Sequence, residues 1–221
     1  MVATILKLYG MSVSTCTQKV VMALNEKNIP FEFININVLK KEQKTPEHVA
    51  RHPFGKIPVL ELEDGTLIFE SLAIVRYIDA IRPTIGARLI PSSPKAAAHV
   101  DQWTYQSSYN FYPAAQQIIV ETAIKPVARL PSDPAVLADG RKKLIPTLDI
   151  YEVLLGKQEF FAGDEFTLAD LAHLPYFNVM MSTQSDLFDG RANLEAWFLR
   201  CTARESWGMV KAFVENAPKC H

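Results

Sequence analysis

A stretch rich in proline, glycine and serine divides the chain into two halves with different hydrophobic patterns. Turn-forming residues cluster over residues 83–94 and predict a linker. Before this linker, short runs of β-branched and aromatic residues alternate with segments of helical periodicity. After it, the patterned segments all have helical spacing. The sequence therefore predicts an α/β domain over residues 1–82 and an all-helical domain over residues 95–221.

The first half predicts the element order β-α-β-α-β-β-α. Its clearest local signals are Thr45 followed by Pro46, typical of a helix start, and Asp64-Gly65, typical of a hairpin turn. This order favours a mixed sheet with helices packed against it. The strands are predicted over residues 5–9, 31–38, 57–62 and 66–69. The helices are predicted over residues 14–28, from residue 45, and over residues 71–81.

The second half predicts helices alone. Pro113 and Pro146 fall inside the first two of them and are expected to kink or break these helices. Thr167, followed three residues later by Asp170, resembles a capping box and predicts a helix start. The helices are predicted over residues 95–122, 134–155, 168–181, 193–201 and 204–214.

Composition and charge exclude several classes of function. A net charge of −1 removes the basic face that general nucleic-acid binding needs. No apolar run approaches the roughly 18 residues of a membrane span, and residues 1–7 lack the features of a signal peptide. The widely spaced Cys16, Cys201 and Cys220 agree with a reducing compartment. We therefore expect a cytoplasmic protein with no membrane partner, and no histidine or cysteine cluster has the spacing of metal ligands.

Three short segments carry candidate chemistry. Ser14 lies where a predicted strand ends and a helix begins, and free N–H groups at a helix start favour an anion. At a second such start, Ser71 suits a carboxylate and Glu70 an ammonium group. Pro58 begins a strand and is a candidate for a cis bond, which would turn the backbone of Ile57 outward to pair with an extended peptide. Taken singly, each segment has a simpler interpretation as a helix cap or an ordinary trans-proline.

Together these segments resemble the glutathione transferases, in particular the phi class. The resemblance covers nearly the whole chain and implies a thioredoxin-like domain joined to an all-helical one, in a homodimer. It is carried by Ser14-Thr15, Glu42-Gln43-Lys44, His52-Pro53-Phe54-Gly55-Lys56-Ile57-Pro58, Phe69-Glu70-Ser71 and Phe166-Thr167-Leu168-Ala169-Asp170.

The resemblance also implies a role for each matching residue. Ser14 would donate its hydroxyl to the glutathione sulfur and favour the thiolate, which is the nucleophile. Ile57, next to Pro58, would pair its backbone with the cysteinyl unit. Glu70 would hold the γ-glutamyl ammonium group and Ser71 the carboxylate beside it. The remaining glutathione contacts are expected from Gln43 and Lys44, which would meet the glycyl carboxylate, and from Lys56.

An acceptor site for a second substrate is expected between the two domains. Aromatic and methionine side chains there would suit a flat or apolar electrophile, although each aromatic ring could instead belong to the core. The candidates are Met11, Ser12, Phe54, Tyr109, Phe111 and Tyr112.

Cys16 is a competing nucleophile. In cysteine-type relatives, which catalyse thiol–disulfide exchange, the cysteine occupies the position assigned here to Ser14. We favour Ser14, because Cys16 should lie one step into the helix and pack as a small apolar side chain.

The resulting expectation is an enzyme that conjugates glutathione to hydrophobic electrophiles in detoxification. A ligandin-like carrier that binds glutathione and aromatic metabolites stays open, as does a glutathione-dependent etherase or peroxidase. A purely structural module, a role that this fold plays in translation factors, is disfavoured because a scaffold has no reason to keep Ser14, Glu70 and Ser71.

Overall fold

The computed structural model describes residues 5–217, and the chain forms two compact units. One unit runs through Leu89 and takes in the segment from Arg204; the other covers Ile90–Ala203. The expected fold class, a thioredoxin-like α/β domain and a helical domain, is confirmed. Cys220 lies outside the described residues. No helix within residues 5–217 is both long and apolar enough to span a bilayer.

The first unit has the predicted order of strands and helices. The second strand ends at Asn35, earlier than the predicted residue 38, and a 3₁₀ turn, Glu42–Lys44, follows it. The elements are β1 Leu6–Gly10, α1 Thr15–Glu26, β2 Phe31–Asn35, α2 Pro46–Arg51, β3 Val59–Glu61, β4 Leu67–Phe69 and α3 Ser71–Ile81.

The four strands form one mixed sheet in the order β2-β1-β3-β4. β1 runs parallel to β2, with Gly10 opposite Asn35. β3 runs antiparallel to both β1 and β4, and Val59 pairs with Tyr9 on one side and Phe69 on the other. Consequently β1, β2 and β4 end at the same edge of the sheet at which β3 begins. We call this edge the ligand edge.

The core of the first unit lies under α1 and α3, which pack against each other. Val20 and Leu24 of α1 and Ile74 and Ile78 of α3 are all fully buried. These residues recur at helical spacing, so the amphipathic pattern that predicted the helices also determines which faces are buried. Burial of these side chains fixes the start of each helix relative to the sheet.

The second unit contains the predicted helices except the last one, over residues 204–214, and the first of them differs from its prediction. The helix expected over residues 95–122 is interrupted by π-helical turns at Ser107–Phe111 and Val120–Ile124. A 3₁₀ turn, Ser185–Phe188, also lies in this unit. The helices are α4 Pro94–Gln106, α5 Tyr112–Ile119, α6 Lys125–Val127, α7 Pro134–Leu155, α8 Leu168–Thr183 and α9 Ala192–Thr202.

The two internal prolines have different outcomes. Pro113 is the second residue of α5, just after the first π-helical turn. The wider turn accommodates a residue that has no N–H donor and whose ring crowds a preceding carbonyl. α7, in contrast, continues through Pro146 without a break. A long helix can therefore continue through an exposed proline that sequence rules would place at a helix end.

Aromatic rings fill the core of the second unit. Phe161 stacks on the His173 ring at 4.1 Å, and Phe111 stacks on Phe177 at 5.3 Å. The predicted start of α8 is confirmed as a reciprocal capping box between Thr167 and Asp170. This unit is thus held by ring packing around a satisfied polar cap.

The last helix, α10 (Glu205–Asn216), belongs to the first unit. Glu26, at the end of α1, accepts hydrogen bonds from Arg204 Nε at 2.7 Å and from Ser206 Oγ at 2.6 Å. Phe213 packs edge-on against Phe33 of β2, with ring centroids 4.7 Å apart. The observed division therefore differs from the predicted helical domain over residues 95–221, because helical periodicity does not tell which surface a helix will cover.

Candidate functional site

Four chain segments meet at the ligand edge. Ser14 follows β1, Gln43 and Lys44 follow β2, Pro58 precedes β3, and Glu70 follows β4. Segments at the carboxyl ends of strands are the usual place for a binding site in a sheet of this kind. The strand directions therefore bring together, at one edge, segments that are up to 56 residues apart in the sequence, from Ser14 to Glu70.

Ser14 is the N-cap of α1. Its Oγ accepts a hydrogen bond from Thr17 N at 3.4 Å, and its own N–H donates to Met11 O at 2.9 Å. A Cβ at Gly10 would lie only 2.7 Å from Thr17 Oγ1, so glycine allows the strand to approach the helix closely. Within residues 5–217 the Ser14 hydroxyl donates to no acceptor. A partly exposed donor thus lies at the positive end of a helix.

The residues around Ser14 are more enclosed. Met11 and Ser12, both predicted to line the acceptor site, are buried. The Ser12 carbonyl accepts a hydrogen bond from Gln18 Nε2 at 3.1 Å, which fixes the loop ahead of α1. Cys16 lies in the first turn of α1 and is partly buried.

The loop after β2 contacts the turn that precedes β3. Lys44 Nζ donates to Phe54 O at 3.0 Å. Gly55 has a φ of +55°, and a Cβ at this position would lie 2.8 Å from Gln43 O, so this close approach needs glycine. Gln43 Oε1 is buried and accepts no hydrogen bond from the described part of the chain. The structure thus brings Gln43 and Lys44 next to the Phe54–Lys56 turn.

The Ile57–Pro58 peptide bond is cis, which confirms the prediction. Ile57 is partly buried against a small cluster that contains Tyr9, Ile36 and Val59. Lys56, one residue earlier, is exposed. An exposed cation and an anchored backbone therefore stand side by side at the start of β3.

Glu70 has an unusual backbone conformation. Its φ of +70° lies in the left-handed region, which disfavours residues other than glycine. Glu70 is exposed, and its carboxylate has no hydrogen-bond or salt-bridge partner within residues 5–217. Ser71, the first residue of α3, is buried. Strain of this kind concentrates at binding sites, and here it presents an unpaired carboxylate beside a helix start.

Two histidines that the sequence analysis left without a role hold the Phe54–Lys56 turn. His48 Nε2 donates to Lys56 O at 2.8 Å, and His52 Nδ1 accepts from Phe54 N at 3.3 Å. Both histidines are buried. The only sequence signal for this arrangement is the position of His52, directly before the Pro-Phe-Gly turn.

Comparison with known proteins decides the family. A profile for the glutathione S-transferase N-terminal domain matches residues 13–81, and one for the C-terminal domain matches residues 111–205. Glutathione S-transferase F12 of Arabidopsis thaliana is 38% identical over 92% of this chain and 95% of its own length. The chain belongs to the glutathione S-transferase family. With such plant relatives it resembles the phi class, as predicted.

Solved glutathione transferases share the fold closely. Glutathione transferase F7 from Populus trichocarpa has a TM-score of 0.90 at 36% identity, over 95% of this chain and 99% of that protein. A maize glutathione S-transferase I, solved with an atrazine glutathione conjugate, has a TM-score of 0.86 at 30% identity, over 96% and 99% of the two chains. The family assigns this protein a transferase activity with glutathione as a substrate.

The candidate acceptor residues of the transferase differ in exposure. In the first unit, Phe54 is 66% exposed. In the second unit, Tyr109 is 75% and Tyr112 is 37% exposed. Phe111, also predicted to line the acceptor site, is fully buried, and its ring packs against His173 and the other core aromatics. Within residues 5–217, no group of three or more His, Cys, Asp or Glu residues could hold a metal ion.

Proposed function

We propose that this glutathione transferase conjugates glutathione to hydrophobic electrophiles, with Ser14 stabilising the thiolate. The observation that supports this most strongly is the ligand edge, where Ser14, the cis bond before Pro58 and Glu70 with its strained backbone all stand at the ends of neighbouring strands. A peptide-like ligand along this edge would meet a donor, a free backbone and a carboxylate in turn.

Ser14 acts on the glutathione sulfur through its free hydroxyl. A cysteine thiol has a pKa of about 8.5, and a helix start with a hydrogen-bond donor lowers it. The thiol proton leaves to solvent. The thiolate sulfur then forms a bond to the electrophilic carbon of the acceptor, and the leaving group, such as the halide of an aromatic halide, departs with the electron pair of its bond to that carbon. The hydroxyl therefore contributes most where negative charge is on sulfur.

The two ends of glutathione meet groups of opposite charge. The Glu70 carboxylate holds the γ-glutamyl ammonium group, and Ser71 at the start of α3 receives the carboxylate beside it. Ile57 pairs its backbone with the cysteinyl unit. The glycyl carboxylate lies near the basic side of the edge, where the side chains are Gln43, Lys44 and Lys56.

The acceptor is an apolar or aromatic molecule. Phe54, Tyr109 and Tyr112 expose aromatic rings that suit a flat ligand, and Met11 and Ser12 belong to the loop that leads to Ser14. Support comes from the maize relative, whose structure holds a glutathione conjugate of atrazine.

The protein works in the cytosol, and it works as a homodimer. The reason for a dimer is that a self-complementary interface is the commonest route to a closed assembly.

Replacement of Ser14 by alanine tests the assignment. Turnover with a generic aromatic halide should fall by one to two orders of magnitude, or about 1.4–2.7 kcal/mol, while glutathione affinity changes little. Ser14→Thr keeps the hydroxyl and should retain more activity than Ser14→Ala. Cys16→Ala is the matched control and should conjugate normally.

Other outcomes would redirect the assignment. Near-normal turnover in Ser14→Ala together with an inactive Cys16→Ala would move the protein to thiol-transfer chemistry. Capture on immobilised glutathione without turnover of any acceptor would favour the carrier over the enzyme.

A further inference from the structure

His52 lies between two segments that the proposed function assigns to glutathione binding, the turn before β3 and the end of β4. It follows α2, and its carbonyl accepts a hydrogen bond from Gly55 N at 2.7 Å, which closes the turn. Its ring lies against the ring of Phe69, with centroids 4.7 Å apart, and Phe69 is the residue directly before Glu70. The side chain is 2% exposed. One buried imidazole thus contacts both the turn before β3 and the end of β4.

Three side chains hold the backbone of the Phe54–Lys56 turn. His52 Nδ1 accepts from Phe54 N at 3.3 Å, and Lys44 Nζ donates to Phe54 O at 3.0 Å. His48 Nε2 donates to Lys56 O at 2.8 Å. Of the three, only His52 acts as an acceptor, so its contact is the one that protonation would abolish.

The protonation state of His52 follows from this contact. A nitrogen that accepts from Phe54 N–H carries a lone pair, so the ring is neutral with its proton on Nε2. A second proton would sit on Nδ1 and face the Phe54 N–H. His48 differs, because its Nε2–H donates to Lys56 O whether or not the other ring nitrogen is protonated.

Charged groups from every neighbouring element act on His52. Burial is the largest influence and lowers the pKa of the imidazole below its usual 6.5; Glu70 at the start of α3 raises it. His48 on α2, Lys56 in the turn and Lys44 in the 3₁₀ turn lower it further. The neutral ring is therefore favoured at neutral pH, and protonation of the ring requires a pH below the usual pKa of 6.5.

We propose that His52 is a positioning residue that holds the Phe54–Lys56 turn in place for glutathione while its ring is neutral and releases the turn when protonated. This inference rests on the proposed binding of glutathione at the ligand edge. It assigns His52 no contact with the substrate. Its effect reaches the ligand through Lys56, the last residue of the turn, and through Ile57, which follows it.

Matched variants separate the acceptor from the titration. In His52→Asn, the side-chain oxygen accepts from Phe54 N as in an Asx turn but cannot titrate. His52→Leu removes the hydrogen-bond acceptor and fills the space of the imidazole with an apolar side chain. His99→Asn removes an exposed histidine from the other unit and serves as the control.

The dissociation constant of glutathione is measured for each protein from about pH 7.5 down to about pH 4.5. Loss of one hydrogen bond predicts a weakening of about three- to tenfold in the wild type and in His99→Asn as the pH falls. His52→Asn should lack this step, and His52→Leu should bind weakly throughout. An identical pH step in the wild type and in His52→Asn would overturn the inference.

A second measurement needs no ligand. In NMR spectra of the free protein, the Phe54 amide signal should shift with the titration of the His52 ring in the wild type and stay fixed in His52→Asn. If the Phe54 amide signal does not shift as the His52 ring titrates, the proposed role of His52 is overturned, even if the protein binds glutathione. A coupled shift in a protein that binds no glutathione overturns the proposed function instead and leaves the contact in place.

Discussion

Ser14 and Thr167 are the N-caps of α1 and α8, and their hydroxyl groups have different roles. Ser14 caps α1 through one hydrogen bond of 3.4 Å from Thr17 N, and in the described part of the chain its own O–H donates to nothing. Thr167 caps α8 by accepting from Ala169 N at 3.3 Å, and it donates to Asp170 Oδ2 at 3.2 Å. The first hydroxyl is available to a ligand, whereas the second is fully used by the fold.

Glu26 and Asp170, a buried carboxyl group from each unit, differ in the groups that stabilise their charge. Burial acts to raise the pKa of Glu26 in the first unit, but hydrogen bonds from Arg204 and Ser206 hold it below its usual value. Burial raises the pKa of Asp170 in the second unit, where backbone N–H groups and Trp197 oppose it without a cation. The charge of Asp170 is thus stabilised by neutral donors alone, and these donors belong to the core of the second unit.

The largest effect is expected from Asp170→Ala. Asp170 accepts from Phe161 N at 2.8 Å and from Trp197 Nε1 at 2.9 Å, and both donors would be left buried without a partner. We expect a loss of about 3–5 kcal/mol in the free energy of unfolding, measured by urea denaturation. Thr167→Ser, which keeps the cap, should lose far less. A loss below about 1 kcal/mol for Asp170→Ala would contradict the central role of the capping box.

Arg204→Met tests the ion pair of the first unit. Removal of the cation leaves Glu26 buried and unpaired, so we expect a loss of about 2–4 kcal/mol at neutral pH. Because the folded-state pKa of Glu26 is lowered, the stabilisation is present above its unfolded value of 4.5 and disappears as the pH falls through the folded value. The stability gap between the wild type and Arg204→Met should therefore narrow in acid. A constant gap from pH 7 to pH 3 would mean that Arg204 acts through packing alone.

Glu70 is expected to affect binding more than stability. Glu70→Ala should raise the Michaelis constant for glutathione about five- to thirtyfold with little change in turnover, because an ion pair made equally in ground and transition states is lost. Glu70→Gly should show the same defect yet unfold at a higher urea concentration, since glycine tolerates a φ of +70°. If turnover alone falls, Glu70 tunes the thiolate and does not hold the substrate.

The smallest effect is on the stability of α1. Ser14→Ala removes a single long cap bond and should lower the free energy of unfolding by about 1 kcal/mol or less. Thr167→Ala should lower it by about 2 kcal/mol, because the reciprocal bond to Asp170 is lost as well. If Ser14→Ala and Thr167→Ala lowered the free energy of unfolding equally, the distinction between Ser14 as a ligand-facing cap and Thr167 as a structural cap would be wrong.

Local patterns were sufficient to predict much of this protein. The element order of the first unit, the hairpin at Asp64-Gly65 and the box at Thr167 and Asp170 follow from residues a few positions apart. The resemblance to the transferases also rests on short motifs, of which Ser14-Thr15 is one. Signals of this kind are readable because turn chemistry and helical periodicity act within one or two turns of chain.

Tertiary packing decided the rest. Phe111 was expected to line a site, yet the π-helical turn and the rings around it bury it completely. α10 was expected among the helices of the second unit, yet Glu26 and Phe33 hold it on the first. Likewise, the contact of His52 with Phe69 joins residues of different elements. Each of these outcomes depends on which surfaces come into contact when segments far apart in the sequence pack together. Local sequence patterns describe neighbouring residues and do not specify these long-range contacts.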